Sequence, residues 1–190
     1  MEEIFENAIE ELDNLCDELG VQRLGNPTSI PVRIKKLHPD AIIPRKSTPG
    51  SAGYDLYAPK DVMVPVGRSV IPLGLAIELP YGYEASIQSR SGHASKGFEI
   101  IIPGITRAYN NDRPYSIRCD ISVLTGVVDS DYRDEIAVIV NNRDGLTRTI
   151  IKGQKIAQMI IRKVEDADWE EVDELTPTDR KGGFGSTGNK

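Results

Sequence analysis

Cysteine is scarce in this sequence: the 190 residues hold two, Cys16 and Cys119. They lie far apart and match neither a metal-binding nor a redox spacing, which excludes a disulfide framework. Long apolar runs are missing too, since none approaches the roughly 18 residues that a membrane helix needs. The N-terminus is acidic where a secretory signal would be basic. We therefore expect a protein without a membrane partner that is cytoplasmic, or nuclear if the source is eukaryotic or viral.

Basic charge is also limited, and its distribution gives no indication of a nucleic-acid partner. The net charge is −6, but residues 1–20 carry eight acidic residues and no basic one, and the rest of the chain has 21 acidic against 23 basic residues. A nearly neutral body offers no basic stripe for a nucleic-acid backbone. Direct nucleic-acid binding is not expected, and an anionic ligand would have to be bound by local residues.

The first 30 residues are predicted to form an appendage to the main domain, consisting of a helix and a linker. Between residues 2 and 19, apolar side chains recur at spacings of three and four with acidic residues between them, and Gly20 follows as a plausible stop. The apolar positions are Phe5, Ala8, Ile9, Leu12, Leu15, Cys16 and Leu19. This pattern predicts one amphipathic helix, joined to the body by a linker that ends near residue 30. The helix either packs within its own assembly or binds another protein.

Residues 31–178 are predicted to form an all-β domain. Short β-type runs separated by turn residues follow one another with almost no helical periodicity and no internal repeat, which favours a jelly-roll-like β-sandwich. Residues 179–190 form a tail with four glycines between Gly182 and Gly188, a composition that cannot bury enough surface to order itself. We expect this tail to act as a lid that becomes ordered when it docks.

Two short motifs carry groups suited to phosphate. AGYDLYA, residues 52–58, contains Asp55, and SRSG, residues 89–92, places a guanidinium, a hydroxyl and a glycine-freed amide side by side at Arg90, Ser91 and Gly92. Each motif alone is also typical of an ordinary turn.

Three further motifs follow. In GVVDSDYR, residues 126–133, an acidic turn stands between two apolar runs, which predicts a hairpin with Asp129 at its mouth. GQKIAQM places Gln158 on a strand. In the tail GGFGSTG, Phe184 has nothing local to pack against and suits a flat partner.

The five motifs, in this order over residues 52–188, resemble those of the trimeric dUTPases, and the resemblance covers about residues 31–190. It implies a jelly-roll-like domain that hydrolyses dUTP to dUMP and pyrophosphate by Mg²⁺-assisted in-line attack of water on the α-phosphorus. Such an activity keeps uracil out of DNA and supplies dUMP for thymidylate synthesis. It also implies a homotrimer in which three chains share each site.

The resemblance assigns roles to single residues. Asp129 matches the general base, a task that phosphoryl transfer leaves to a positioned carboxylate. Asp55 matches the carboxylate that holds Mg²⁺ through water. Tyr132 matches the ring beneath the deoxyribose, and Phe184 the ring that stacks on uracil. The substrate-binding positions are Arg90, Ser91, Gly92, Gly126, Val127, Val128, Tyr132, Ala137, Gln158, Arg180, Phe184, Gly185, Ser186 and Thr187.

The chain departs from the family pattern in two places. The tail motif is one residue short between its arginine and Phe184, so either Arg180 or Lys181 would bind the γ-phosphate. The interval from Ser91 to Asp129 spans 38 positions, longer than is usual in the family. The surplus falls at about residues 103–122, and is either a surface hairpin or a lip or docking surface beside the site.

Two other residues and two rival functions complete the expectations. His93 is expected to be solvated or hydrogen-bonded without a metal, and Trp169 to anchor the C-terminal arm on a neighbouring subunit. A dCTP deaminase-like enzyme and a dUTP-responsive regulator without catalysis are the alternatives. No deaminase signature is visible, and the presence of Asp129, Tyr132 and Phe184 favours the hydrolase.

Overall fold

The computed structural model describes residues 29–106 and 114–179. Within them the chain is nearly all β, with thirteen strands and one short helix, α1 (Ser91–Lys96). The strands are β1 (Arg33–Lys36), β2 (Tyr54–Tyr57), β3 (Val62–Val64), β4 (Gly67–Pro72), β5 (Leu75–Glu78), β6 (Tyr83–Gln88), β7 (Phe98–Thr106), β8 (Pro114–Cys119), β9 (Ile121–Leu124), β10 (Gly126–Val128), β11 (Ala137–Asn142), β12 (Arg148–Ile150) and β13 (Lys155–Lys163). The predicted N-terminal helix and the tail from residue 180 lie outside the described residues.

The strands form antiparallel sheets around one core. One sheet has the order β10-β6-β13-β2 and a second the order β4-β11-β9, while β1-β5, β12-β3 and β7-β8 form pairs. This is the all-β, jelly-roll-like sandwich that the sequence predicts. Among the helices of the described ranges, none is both long and apolar enough to cross a bilayer.

Strand β11 shows how the sequence produces this packing. Its residues alternate strictly between buried and half-buried positions, the period of two that a strand on a core requires. Val138 and Val140 are fully buried, and so is the polar Asn142. The Asn142 amide donates hydrogen bonds of 2.9 Å to the carbonyls of Val64 and Leu146, so its burial leaves no donor unpaired.

A glycine divides the longest apolar run of the body into two strands. The run from Ser69 to Leu79 is broken at Gly74, which has φ +67° and separates β4 from β5. A Cβ on Gly74 would lie 2.6 Å from the His38 Cβ. Both the backbone angle and the space therefore require glycine.

The hairpin β7–β8 contains the surplus length between α1 and the third motif. Phe98 pairs with Cys119 and Glu99 with Arg118, and the side chains of Phe98 and Cys119 are buried in the core. The side chain of Gln154, which is 5% exposed, donates to the Glu99 carbonyl and accepts from the Ile101 amide at 3.3 Å. The first strand of this hairpin thus begins at residue 98, before the start of the surplus segment that the sequence predicts near residue 103. The base of the hairpin is part of the core.

Candidate active site

Strand β13 brings two of the predicted motifs together. Gln158 on β13 pairs with Asp55 on β2 and, on its other side, with Gln88 at the end of β6. The Gln158 amide donates a 2.9 Å hydrogen bond to the Ser89 carbonyl. Gln158 therefore connects the first motif, through strand pairing, to the start of the second, through its side chain.

A β-bulge in β13 controls which side chains face this region. Lys155 pairs with Tyr57 and Ala157 with Leu56, so Ile156 is the extra residue, and pairing resumes with Gln158 opposite Asp55. Because Tyr57 and Asp55 are two residues apart, they share one face of the sheet. The bulge places Lys155 and Gln158 on that same face, although they are three residues apart.

Asp55 is a buried carboxylate held by cations. It is 7% exposed; its Oδ2 accepts from Lys155 Nζ at 2.6 Å and Ser47 Oγ at 2.7 Å, and its Oδ1 from Arg90 Nε at 3.1 Å. Burial raises the pKa of Asp55, but the hydrogen bonds from Lys155 and Ser47 and the charge of Arg90 outweigh it, so the pKa lies below its ordinary value. The carboxylate is ionised at neutral pH.

The second motif forms the start of helix α1. Arg90 is the N-cap with an extended backbone (φ −71°, ψ 143°), and its carbonyl accepts from the amides of His93 and Ala94 at 2.9 and 3.0 Å. Ser91 and Gly92 form the first turn, where amides lack helical partners. The sequence predicted an ordinary turn or a phosphate loop here, and missed the helix.

Three separate motifs line one cleft of about 490 Å³. From the predicted site it contains Asp55, Arg90, Ser91, Gly92 and Gln158. The sequence reasoning missed Ser47, Gly53, Glu99 and Arg118, which line the same cleft. Gly53 belongs to the first motif and Ser47 precedes it closely, so proximity was a usable signal, whereas Glu99 and Arg118 reach the cleft through the pairing of β7 with β8.

His93 is buried, so the solvated alternative for this residue is wrong. It is 5% exposed, and its ring lies 4.5 Å from the Phe98 ring. Its Nδ1 is buried without a partner among the described residues. Burial lowers the pKa of His93 to about 4, helped by the charges of Arg90 and Arg118, although a hydrogen bond with the Ile156 backbone opposes the shift. The ring is neutral at physiological pH and carries no charge into the cleft.

The third motif lies at the other end of the sheet. Strand β10 runs antiparallel to β6, with Gly126 opposite Ile87 and Val128 opposite Ala85. Asp129 therefore follows beyond the level of Ala85, at least three residues or roughly 10 Å along β6 from its Gln88 end. One chain does not bring Asp129 to the cleft that holds Asp55.

The other predicted groups of this hairpin differ in exposure, and Val128, at 7% exposed, belongs to the core. Val127 is 56% and Tyr132 40% exposed, and the Tyr132 hydroxyl donates to the Glu135 carbonyl at 3.0 Å. Ala137 begins β11 and is half-buried. The hairpin thus presents the aromatic ring of Tyr132 to solvent. The tail positions Arg180, Lys181, Phe184, Gly185, Ser186 and Thr187 lie outside the described residues.

An ionised carboxylate, a guanidinium and the first residues of a short helix thus line one cleft on a jelly-roll-like sandwich. A family model described as dUTPase matches residues 39–113 and 116–188. The deoxyuridine 5'-triphosphate nucleotidohydrolase of Anaplasma marginale is 43% identical over 150 residues, 77% of this chain and 88% of the relative. That of Orientia tsutsugamushi (strain Boryong) is 39% identical over 84% of this chain and 99% of the relative. The chain belongs to the dUTPase family.

Solved structures share the fold. The Staphylococcus bacteriophage 80alpha dUTPase with dUpNHpp has a TM-score of 0.65 at 21% identity, over 84% of this chain and 99% of that one. A point mutant of the dUTPase from phage phi11 of S. aureus, described with a structural Mg(II) ion, has a TM-score of 0.60 at 20% identity, over 77% of this chain and 99% of that one. Both likenesses support the same sandwich architecture.

Proposed function

We propose that this chain hydrolyses dUTP to dUMP and pyrophosphate, and that its active unit is a homotrimer with shared sites. The observation that carries the proposal is the cleft in which Asp55, Arg90 and Gln158 meet from three separate motifs. Relatives at 43% and 39% identity carry the name of this activity.

The cleft supplies what a triphosphate needs. Arg90 offers N–H donors for phosphate oxygens, and Ser91 and Gly92 add a hydroxyl and amides at the start of α1. Gln158 is fixed by its bond to Ser89, so its side chain is positioned before substrate arrives. Pre-positioned donors avoid the entropy of ordering side chains on binding.

Asp55 fits the role of a Mg²⁺ partner through water. Within the described residues, its Oδ2 has two hydrogen-bond donors and its Oδ1 only one, which leaves Oδ1 able to accept from a metal-bound water. A triphosphate provides most of the direct Mg²⁺ contacts, so a single ionised carboxylate is sufficient. The ion would neutralise charge on the phosphate oxygens as the bond to the leaving pyrophosphate breaks.

The general base comes from another copy of the chain. Asp129 orients and deprotonates the attacking water, which requires hydrogen-bond contact with that water. Because its own chain holds Asp129 far from Gln88 along β6, a second chain must bring its hairpin to the cleft. The same hairpin offers Tyr132 to the deoxyribose, and backbone groups of Gly126, Val127, Val128 and Ala137 to uracil.

The tail completes the site. Phe184 stacks on the uracil, and Gly185, Ser186 and Thr187 cover the phosphates. Arg180 or Lys181 contacts the γ-phosphate, and closure excludes water from side reactions. These roles rest on the motif order.

Pyrophosphate release tests the activity. The full chain is assayed with dUTP and with dCTP, each with Mg²⁺ and with a chelator. We expect release only from dUTP, and a strong reduction with chelator. Equal turnover of dCTP, ammonia release from dCTP, or binding without turnover would contradict the hydrolase assignment.

Mixing two inactive variants tests the shared site. Arg90→Ala disables the cleft and Asp129→Asn the base, so each variant alone should be inactive. After joint unfolding and refolding, mixed trimers should contain sites in which an intact cleft meets an intact Asp129, and activity should return in part. Each variant refolded alone is the control. No recovery in trimers shown to be mixed would mean that each chain supplies both groups to its own site.

A further inference from the structure

We infer that Arg118, on the hairpin β7–β8, is a further substrate-binding residue that supplies a second guanidinium to the triphosphate cleft. The inference rests on the proposed function. It concerns a segment that contains none of the five motifs.

Arg118 and Arg90 belong to the same cleft, although they lie on different elements. Both line it, together with Ser91 and Gly92. Their charges also both act on the buried ring of His93, which places the two guanidinium groups near one neutral side chain. The two arginines therefore line this cleft together with the carboxylates of Asp55 and Glu99, while the neutral His93 adds no charge.

The position of Arg118 is fixed by its surroundings. Its Nη1 donates a 3.1 Å hydrogen bond to the carbonyl of Gly97, the residue that ends α1. Gly97 has φ +84°, and a Cβ there would lie 3.2 Å from the Cys119 carbonyl, so hairpin and helix are in direct contact. The Gln154 side chain holds the opposite strand of the hairpin at Glu99. The guanidinium is thereby tied to the helix that carries Ser91 and Gly92.

Arg118 keeps donors for a ligand. A guanidinium has five N–H groups, and the contact with Gly97 uses one of them. The remaining charged contact, with Glu99, is loose at 3.7 Å, and the Arg118 side chain is 43% exposed. An arginine held at one nitrogen with its other donors open can bind phosphate oxygens with two parallel bonds.

The test compares Arg118→Gln with Arg68→Gln, a change at an exposed arginine on β4 that is not among the residues lining this cleft. For both variants and the unmodified chain, kcat and KM for dUTP are measured, with dissociation constants for dUMP, dUpNHpp and inorganic tripolyphosphate. We expect Arg118→Gln to raise KM and the dissociation constants of dUpNHpp and tripolyphosphate by about 10-fold, the lower end for a charged hydrogen bond. The constant for dUMP should change by less than about two-fold because dUMP lacks the β- and γ-phosphates, and Arg68→Gln should match the unmodified chain.

The outcomes separate this inference from the proposed function. Unchanged binding of dUpNHpp and tripolyphosphate in Arg118→Gln would overturn the inference. An equal loss for dUMP, with a lowered Tm, would also overturn it and assign Arg118 a purely structural role at Gly97. If the unmodified chain failed to hydrolyse dUTP while tripolyphosphate binding still depended on Arg118, the proposed function would fail and the phosphate contact would stand.

Discussion

Gly53 and Gln158 are in such close contact that a side chain at residue 53 would displace the glutamine. A Cβ on Gly53 would lie 2.5 Å from Gln158 Oε1, 3.1 Å from its Cδ and 3.2 Å from its Cβ. Three atoms along the side chain are affected, so rotation of the terminal amide alone does not relieve the contact. The first motif thus requires glycine near Asp55 because of a residue that is distant in the sequence.

Gly53→Ala should therefore lower kcat/KM for dUTP by at least about 10-fold, because misplacement of a positioning group by even about 1 Å is costly. The matched control is Gly50→Ala, since a Cβ there would meet nothing within 4 Å. Steady-state kinetics and thermal unfolding of both variants give the comparison. Normal kinetics in Gly53→Ala would show that the position of Gln158 is unimportant.

Asp129→Asn should remove the general base while keeping the size and shape of the side chain. We expect kcat to fall by at least ~100-fold, in the range of a lost general base, with dUpNHpp affinity nearly unchanged. Asp131→Asn, on the same exposed turn, is the control and should keep most of its turnover. If Asp129→Asn kept most of its turnover as well, another group would be the base.

His93 should make stability depend on pH. Its pKa is 6.5 in the unfolded chain and about 4 in the folded one, so the unfolded chain binds the proton more tightly. The contribution of neutral His93 to the free energy of unfolding is complete above pH 6.5. Up to about 3 kcal/mol of it is lost as the pH falls toward 4. His93→Leu, of similar size, should lose less unfolding free energy than the unmodified chain between pH 7 and pH 4.5 in urea titrations. Identical losses would show that the ring is protonated without cost in the fold.

Removal of residues 1–28 should leave dUTP hydrolysis within a few-fold of that of the full chain. Every predicted or observed cleft residue follows Arg45, and the first motif begins at Ala52. Sedimentation measures assembly and pyrophosphate release measures activity. A truncated chain that is folded and trimeric but inactive would place the first 28 residues within the site.

Much of the fold could be predicted because strand patterns are local. The alternation in β11 and the turn residues between short apolar runs identify an all-β domain without knowledge of what each strand packs against. Helix α1 could not be found in this way, because six residues are too few to show a helical period. The Gly97 carbonyl at its end accepts a hydrogen bond from Arg118 of the hairpin, a contact that no local pattern reports.

The sequence could predict those site residues that belong to recognisable motifs. It could not predict the residues that reach the site only through the folding of distant segments. Asp55, Arg90 and Gln158 were identified from their motifs and do lie in one cleft. The burial of His93 depends on Phe98 and on the base of the inserted hairpin, so a lone histidine in the sequence gave no sign of it. Glu99 and Arg118 reach the cleft through strand pairing, which sequence spacing alone did not reveal.

The bulge at Ile156 ties the charge balance of the cleft to the core beneath it. A regular strand with Gln158 still opposite Asp55 would pair Ile156 with Tyr57, because no residue would then be extra. Lys155 would turn away from Asp55 toward the core, and Ile156, which is fully buried, would move to the cleft face. Both changes are unfavourable, since one desolvates an ammonium group and the other exposes an isoleucine. The burial of Ile156 in the core on the opposite face of the sheet therefore holds the Lys155 ammonium group beside Asp55, and it does so without a bound nucleotide.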